Sequence, residues 1–186
     1  MLLEAGPAYP DVNYLPDDLK HGHSSGPAAA GPHMWDYVAS ATARQTQPMP
    51  IPRGKVTGGS SAVNGTILLR GLPDDFENWA RWGNPDWGFG HVLPYFRKLE
   101  RDLDFSGDFH GSYGPIPVRR YMRQTLLPVQ EAFYQACLDA GFPTDIDMND
   151  PRSSGLGFWP LHNIDGLRIS TVASMGSRGC AWWMRR

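Results

Sequence analysis

The chain has 186 residues, of which 41% are hydrophobic and 19% charged, and its formal net charge is −2. A chain of this length can bury one hydrophobic core, and the 21 glycines and 17 prolines predict many turns rather than a compact helix bundle. The slightly negative charge argues against a nucleic-acid partner, and no apolar run is long enough to predict a membrane span.

The cysteines and the N-terminus bear on location. Cys137 and Cys180 form no CxxC pair and have no zinc-ligand spacing, so they predict reduced, buried thiols in an intracellular protein. The N-terminal MLLEAGP has no basic region and reaches an acid at Glu4, which is not the pattern of a signal peptide. We therefore expect a cytoplasmic protein.

The first predicted elements are a strand end and a long connection. Leu2 and Leu3 have the pattern of a buried strand that ends at Glu4 and a turn. Residues 8–51 are rich in Gly, Pro, His and Ser, which predicts a long excursion with little regular structure. Within it, His21-x-His23 has no third ligand nearby, so we interpret it as a solvated pair rather than a metal site.

Two helices are predicted after this region. Asp74 is expected to cap a helix over residues 75–82 that Gly83 ends. The next helix begins near His91, with Pro94 in its first turn, where proline is tolerated. Its apolar residues recur at helical spacing and predict one buried face. They are Val92, Leu93, Phe96, Leu99 and Leu103.

The last predicted elements are an edge strand and a third helix. Ile116-Pro117-Val118 is predicted at a sheet edge, because proline cannot donate to a ladder. The third helix covers about residues 127–140 and stops at Gly141. One face of it is apolar and predicted to be buried, and this face comprises Val129, Phe133, Cys137 and Ala140. Residues 142–171 predict loops and short strands.

The segment PRGKVTGGSSAVNG, residues 52–65, carries the strongest local signal for a ligand site. Gly58 and Gly59 allow close approach to backbone and unusual dihedrals, and Ser60 and Ser61 add hydroxyl groups. Successive N–H groups could form an anion-binding nest, and a helix opening at Ser60 would add a favourable dipole for phosphate. An ordinary loop explains the same residues about equally well, so local chemistry alone leaves both interpretations open.

Rival motifs do not match. A phosphate-binding P-loop needs Ser or Thr after Gly-Lys, whereas Gly54-Lys55 is followed by Val56. The pattern Gly-x-Ser-x-Gly of a nucleophile elbow does not occur in the segment. Residues 145–150 begin like a calcium loop but lack the required Gly and Glu, so we interpret them as a turn-rich loop. His110 and His162 are interpreted as structural, hydrogen-bonded histidines.

A family resemblance covers most of the chain. RGKVTGGSSAVNGTILLRG, residues 53–71, resembles the flavin-binding signature of the glucose–methanol–choline (GMC) oxidoreductases, commonly RGKVLGGSSAINGMVYVRG. Further pieces match the family in the same order along the chain. These are LEAGP at 3–7, DFxxW at 75–79, GNPxW at 83–87, VLPYF at 92–96, HG at 110–111, GPI at 114–116 and NxDGxRxST at 163–171.

The resemblance implies an α/β fold: an incomplete FAD-binding Rossmann-type domain with GMC insertions and many loops. Residues 1–171 would form this partial domain, and residues 172–186 a tail outside the family pattern. It also implies an FAD-dependent, choline-dehydrogenase-like oxidoreductase that oxidises the CH–OH group of a small alcohol and passes hydride to flavin N5. The positions matched to cofactor contacts are Glu4, Arg53, Gly58, Gly59, Ser60 and Asn64. Glu4 matches the acid that binds the adenosine ribose.

Departures from the family pattern qualify these expectations. Thr57 replaces the usual aliphatic residue and Leu68 a usual aromatic, which predicts weaker packing beside the cofactor. Some family members attach flavin through a histidine at the position of Val63, so any FAD here is expected to be non-covalent. Trp35 resembles a family tryptophan near the flavin, although loop packing explains it as well.

Pieces of the family pattern are absent. The GxGxxG fingerprint would lie about 20 residues before Glu4, and the family's catalytic histidine lies beyond residue 171. No residue is therefore assigned as catalytic and none as a metal ligand. We expect an inactive fragment that binds FAD weakly or not at all. The alternatives are a non-catalytic remnant without flavin binding, and an FAD-containing lyase of the same family.

Overall fold

The computed structural model describes residues 3–21, 31–164 and 167–168, and the chain forms two compact units. The first unit comprises the residues up to Thr66 and those from Asn163 onward, and the second comprises Ile67–His162. Both units contain helix and strand, which agrees with the predicted α/β class. The predicted boundary at residue 171 and the predicted tail lie outside the described residues.

The regular elements are short. The α-helices are α1 (Asp17–Lys20), α2 (Pro73–Arg81), α3 (Phe89–Leu99) and α4 (Pro128–Asp139). The strands are β1 (Val38–Ala39), β2 (Met49–Pro50), β3 (Glu100–Asp102), β4 (Ile116–Arg120), β5 (Pro160–Leu161), β6 (Asn163–Ile164) and β7 (Leu167–Arg168). Among the described residues, no helix is both long and apolar enough to cross a membrane.

The first unit is held mainly by loops packed around a small core. The strand pairs β1–β2 and β6–β7 are antiparallel and only two residues long. In the described part of residues 8–51 no helix or strand exceeds four residues, so the predicted irregular excursion is confirmed there. The core side chains are Leu19, Met34, Val56, Ala62 and Val63, with Tyr9 and Leu15 packed against them. Three of these five come from the glycine segment, which is therefore part of the core rather than a surface appendage.

The predicted buried strand at the N-terminus is wrong for its described part. Leu3 is 78% exposed and belongs to no strand. The apolar pair before Glu4 suggested burial, but among the described residues no strand pairs with this stretch. The described part of His21-x-His23 is His21, and His23 lies outside the described residues.

The second unit contains a three-stranded sheet in the order β3-β4-β5. β4 pairs in parallel with β3 through residues 116–118 and antiparallel with β5 through Arg119 and Arg120. The predicted edge position of Pro117 is therefore wrong, because β4 is the central strand. Pro117 is tolerated because the ladder to β5 involves only the last two residues of β4, so Pro117 faces a ladder on one side alone.

Helices α2 and α3 lie close to their predicted positions but begin differently. The cap of α2 is Leu72, whose N–H donates to the Asp75 carboxylate at 3.0 Å, so the predicted cap at Asp74 is wrong. α3 begins at Phe89 rather than His91, which places Pro94 inside the helix instead of in its first turn. Phe76 of α2 packs against the rings of Phe89 and Phe96 on α3.

Helix α4 has the predicted length but not the predicted burial. Gly141 follows it with φ +83°, and the N–H groups of Gly141 and Phe142 bond to the carbonyls of Leu138 and Cys137, which closes the helix end. Val129 and Phe133 are 74% and 67% exposed, so the predicted buried face is wrong for this pair. Helical periodicity identifies an apolar face, but it does not supply an element to cover that face.

Candidate cofactor-binding site

The glycine segment folds back on itself in a tight loop. A Cβ on Gly54 would lie 2.2 Å from the carbonyl oxygen of Gly59, so only glycine fits at this crossing. The Gly54 N–H also donates to Ser60 Oγ at 3.2 Å. Gly59 has φ +56° and open space where a Cβ would be, so its backbone is accessible to a ligand.

The helix considered at Ser60 is a four-residue 3₁₀ turn, Gly59–Ala62. The Val63 N–H bonds to the Ser60 carbonyl and the Ser61 hydroxyl donates to the Gly58 carbonyl, so these bonds close the turn on itself. One short turn has too few aligned peptides for a helix macrodipole. Any affinity for phosphate here comes from individual N–H and O–H groups.

The strand-like run before the loop is tied to the first unit. The Trp35 N–H donates to the Arg53 carbonyl at 2.9 Å, and the Lys55 N–H donates to the His33 carbonyl at 2.7 Å. The Lys55 ammonium lies 4.7 Å from the centre of the Trp35 ring. His33 is buried between the Tyr9 hydroxyl and the Asp18 carboxylate, at 2.7 Å from each, and so anchors this run.

The N-terminal stretch that carries Glu4 lies directly against the glycine segment. A Cβ on Gly6 would lie 2.0 Å from the Lys55 carbonyl oxygen, so the two backbones are in van der Waals contact. Both the N–H and the hydroxyl of Thr57 donate to the Pro7 carbonyl, at 3.0 and 3.2 Å. The departure from the family pattern at Thr57 therefore adds a hydrogen bond between these two stretches, beyond the bond that any residue would make.

Three predicted cofactor residues present exposed polar groups. One Glu4 oxygen accepts the Gly6 N–H at 2.8 Å, and the Arg53 guanidinium donates to the Pro52 carbonyl. Among the described residues, nothing further bonds to the second Glu4 oxygen, the other Arg53 nitrogens or the Ser60 O–H. The set thus offers an acceptor suited to ribose hydroxyls and donors suited to a pyrophosphate. These groups fit a dinucleotide such as FAD.

The last predicted contact, Asn64, belongs to a small hydrogen-bond network that its local sequence does not predict. Asn64 is exposed, and its side-chain oxygen accepts the Thr66 N–H at 2.9 Å. Thr66 has φ +62° and is 1% exposed. A β-branched residue in this region of dihedral space costs on the order of 1–3 kcal/mol. Asn163, 4% exposed, donates from its amide nitrogen to the Thr66 hydroxyl oxygen at 3.2 Å.

Two further positions bear on the predicted cofactor. Val63, at the position where some family members carry a flavin-linked histidine, is buried and has no nucleophilic atom. A covalent link at this residue is thus excluded. Trp35 stacks on Tyr37 with ring centres 5.5 Å apart and planes 7° apart.

The second unit contains a buried ion network that the sequence did not predict as a unit. Arg70, Glu100, Asp102, His110, Arg120 and Asp147 make up the His110 network. The His110 ring nitrogens face carboxylates on both sides: Nδ1 lies 3.0 Å from Asp102 and Nε2 lies 2.6 Å from Asp147. Because a neutral imidazole donates from only one nitrogen, this geometry requires the imidazolium.

The pKa values follow from that arrangement. Burial alone would lower the pKa of His110, but hydrogen bonds to Asp102, Asp147 and Glu100 outweigh burial and raise it to about 11. Burial alone would raise the pKa of Asp102, but the hydrogen bond to His110 and the N–H groups of Phe105 and Asp104 lower it to about 2. Arg120 contributes two bonds to Asp102 at 2.9 Å.

The same network contains a geometric candidate for a metal site, since Glu100, Asp102 and His110 lie close enough to share an ion. Three carboxylates in the network are already balanced by three cations, namely Arg70, Arg120 and the protonated His110. A divalent cation would have to displace these partners and deprotonate the ring. We therefore interpret the cluster as structural, as predicted for His110.

The calcium-loop alternative fails for a related reason. Asp147 is bonded to His110 and Arg120, and Asn149 bonds to the backbone of Leu68 and Arg70. Both side chains are committed to protein groups, so residues 145–150 form the predicted turn-rich loop. The bond from Asn149 also holds Leu68, where the family usually has an aromatic residue.

Comparisons with known proteins agree with the architecture. A family model described as GMC oxidoreductase matches residues 30–175. The chain is 43% identical over 172 residues to a GMC-type oxidoreductase of the thcA 5′ region of Rhodococcus erythropolis, covering 92% of this chain and 34% of the relative. It is 33% identical to an oxygen-dependent choline dehydrogenase of Vibrio vulnificus, covering 96% of this chain and 31% of the relative.

A solved structure has the same fold. The match to pyridoxine 4-oxidase from Mesorbium loti has a TM-score of 0.81 at 25% identity and covers 94% of this chain and 34% of the other. The fold and the glycine segment thus define a flavoenzyme-type architecture. The chain belongs to the GMC oxidoreductase family. It spans about a third of the length of the curated relatives it matches.

Proposed function

We propose that this chain supplies the FAD-binding segment for oxidation of a small-molecule alcohol to a carbonyl. The observation that carries the proposal is the contact between the Glu4 stretch and the glycine segment, made through Gly6, Pro7 and Thr57. The contact supports the proposal because it joins the stretch that carries Glu4 to the segment that carries Arg53 and Ser60. Membership of the GMC family supports the same cofactor.

Each cofactor residue has a distinct part in the proposal. Glu4 accepts from the ribose hydroxyls while its other oxygen stays on the Gly6 N–H. Ser60 donates its O–H to a phosphate oxygen, and Arg53 supplies positive charge beside it. Gly58 and Gly59 keep the backbone free of side chains, and Asn64 bonds farther along the cofactor. FAD, when bound, supplies the hydride acceptor for the alcohol carbon.

The proposal is tested by titrating the full chain with FAD and following flavin fluorescence and thermal unfolding. Wild type is expected to bind weakly but saturably, with a melting temperature that rises with FAD concentration. Ser60→Ala should weaken binding several-fold, because it removes an O–H donor. Ser106→Ala, an exposed serine of the second unit, is the matched control and should bind like wild type. Equal affinity of both variants would contradict the assignment of Ser60.

The substrate class is proposed from the relatives. The similar proteins include choline dehydrogenases, so choline and simple primary alcohols are the first compounds to test. The chain has no assigned catalytic base, so we expect bound flavin to remain oxidised when these alcohols are added anaerobically. Bleaching of bound flavin by an alcohol would instead show that the chain itself carries out the oxidation. Absence of flavin binding by a folded chain would favour the non-catalytic remnant.

We also propose a cytoplasmic location. Cys137 is a free, half-buried thiol in the structure, which suits a reducing compartment. Thiol labelling in intact cells followed by fractionation tests this location. Cys137 is expected to label as a free thiol in the cytoplasmic fraction.

A further inference from the structure

The strained residue Thr66 directly follows the glycine segment. Asn64 and Gly65 are exposed, whereas the residues on either side of them, Val63 and Thr66, are buried. The pair is therefore a two-residue exposed loop held at both ends by buried side chains. The conformation of Thr66 decides how this loop leaves the core.

Two hydrogen bonds hold Thr66 in its left-handed conformation. Its N–H donates to Asn64 Oδ1 at 2.9 Å, and its hydroxyl oxygen accepts from Asn163 Nδ2 at 3.2 Å. Asn163 is itself fixed, because it lies in β6 and its backbone pairs with Arg168. A β-branched residue does not adopt this conformation by preference, so external bonds are required to retain it.

The orientation of the Asn64 amide depends on the same bonds. Because Asn64 Oδ1 faces the Thr66 N–H, the amide nitrogen of Asn64 is turned away from Thr66. If Thr66 relaxed to a negative φ, its N–H would rotate away from Asn64 Oδ1. The Asn64 side chain would then lose the bond that holds its Oδ1 toward Thr66.

We propose that Asn163 is a positioning residue for the glycine segment: through the Thr66 hydroxyl it fixes the orientation of Asn64. The consequence for FAD rests on the proposed function, whereas the effect on Thr66 itself does not. Asn163 is 4% exposed and acts through its bond to Thr66. The two residues are 97 positions apart, so the bond joins Thr66, at the end of the glycine segment, to the part of the chain that returns to the first unit.

The test compares variants of the full chain. Asn163→Ala and Thr66→Val each remove the bond between Asn163 and Thr66, and the double variant Thr66→Val/Asn163→Ala removes the same single bond. Thr66→Ser keeps the hydroxyl that accepts it. Asn149→Ala is the control, since Asn149 is an equally buried asparagine whose bonds lie in the second unit. The first measurement is hydrogen–deuterium exchange at the Thr66 amide without flavin, and the second is the dissociation constant for FAD.

We expect Asn163→Ala and Thr66→Val each to speed hydrogen exchange at the amide of residue 66 about tenfold and to raise the dissociation constant for FAD to a similar extent. The double variant should be no worse than either single variant, because one shared interaction is lost. Thr66→Ser should stay near wild type, and Asn149→Ala should lower the melting temperature without changing exchange at Thr66.

The outcomes separate this inference from the proposed function. If wild type does not bind FAD, the proposed function fails, while faster exchange at Thr66 in Asn163→Ala still supports the positioning role. If Asn163→Ala lowers the melting temperature but leaves both Thr66 exchange and FAD affinity unchanged, Asn163 is merely structural and the inference is overturned. Additive losses in the double variant would overturn it as well.

Discussion

His110 Nε2 lies 2.6 Å from Oδ2 of Asp147, although the two residues are 37 positions apart in the chain. The opposite ring nitrogen faces Asp102, so a single imidazolium joins the β3 carboxylate to the loop after α4. This bridge links distant parts of the chain within the second unit, and the Thr57–Pro7 contact does the same within the first.

Replacing His110 should strongly destabilise the second unit. His110→Ala leaves three carboxylates without their shared cation, and removing one partner of a buried ion pair costs about 3–5 kcal/mol. Urea unfolding of the variant and wild type measures this loss. His91→Ala is the control, since His91 is exposed and its ring bonds to the Pro85 carbonyl rather than to a charged group, and we expect a change within about 0.5 kcal/mol. Equal stabilities of the two variants would refute the bridging role.

Stability should fall as the pH rises above neutrality. The pKa of His110 is raised from 6.5 to about 11, so its contribution is fully present below pH 6.5 and is lost as the pH rises through 11. Urea unfolding at several pH values between 6.5 and 11 should show a steady decline. His110→Gln should flatten that decline, while His91→Gln should retain it.

At low pH the dependence of stability on pH has the opposite sign, because stability falls as the pH decreases. The pKa of Asp102 is lowered from 3.8 to about 2, so its contribution is present above pH 3.8 and is lost as the pH falls through about 2. Unfolding measured from pH 5 down to 2 should therefore show decreasing stability. Asp102→Asn is expected to be less stable than wild type at pH 5 and to lose less of its free energy of unfolding between pH 5 and 2. An unchanged acid slope in this variant would contradict the assignment.

Removing the Thr57 hydroxyl should loosen the contact between the N-terminal stretch and the glycine segment. Thr57→Val keeps the backbone bond to Pro7 but loses the side-chain bond, at a cost of about 0.5–1.5 kcal/mol. FAD affinity should fall with it, because Glu4 is carried on the same stretch. Thr125→Val is the matched control: its hydroxyl also donates to a carbonyl, that of Met122, but in the second unit. It should leave FAD affinity unchanged.

Gly54 should tolerate no side chain. In Gly54→Ala the new Cβ would meet the Gly59 carbonyl at 2.2 Å, so the loop must open or shift, at a cost of about 1–3 kcal/mol. FAD binding should be lost at the same time. Gly90→Ala provides the contrast, because Gly90 lies in α3 with nothing within 4 Å of a Cβ, and alanine there should stabilise by about 1 kcal/mol. Wild-type affinity in Gly54→Ala would contradict the loop geometry.

The sequence predicted those features whose cause is local. The end of α4 follows from Gly141, and the irregular structure in the described parts of residues 8–51 follows from the composition of that region. The glycine segment was found because its residue types match a signature and because Gly-Gly permits dihedrals that other residues avoid. Burial of the α4 face was mispredicted, since periodicity does not show what covers Val129 and Phe133.

Features that depend on distant partners could not be predicted in this way. The bond between Thr66 and Asn163 joins residues 97 apart, and the positive φ of Thr66 contradicts its own preference. The His110 network likewise gathers side chains from Arg70 to Asp147, each of which is an ordinary charged residue in its local sequence. The central position of β4 likewise depends on distant strands, because β3 pairs with residues 116–118 and β5 pairs with Arg119 and Arg120.

The proposed FAD site is best tested by titrating the wild-type chain and Gly54→Ala with FAD side by side. We expect saturable quenching of flavin fluorescence and a rising melting temperature for wild type, and neither for the variant. A folded, cooperatively melting wild-type chain that shows no saturable binding would contradict the claim that the glycine segment and the Glu4 stretch form an FAD site.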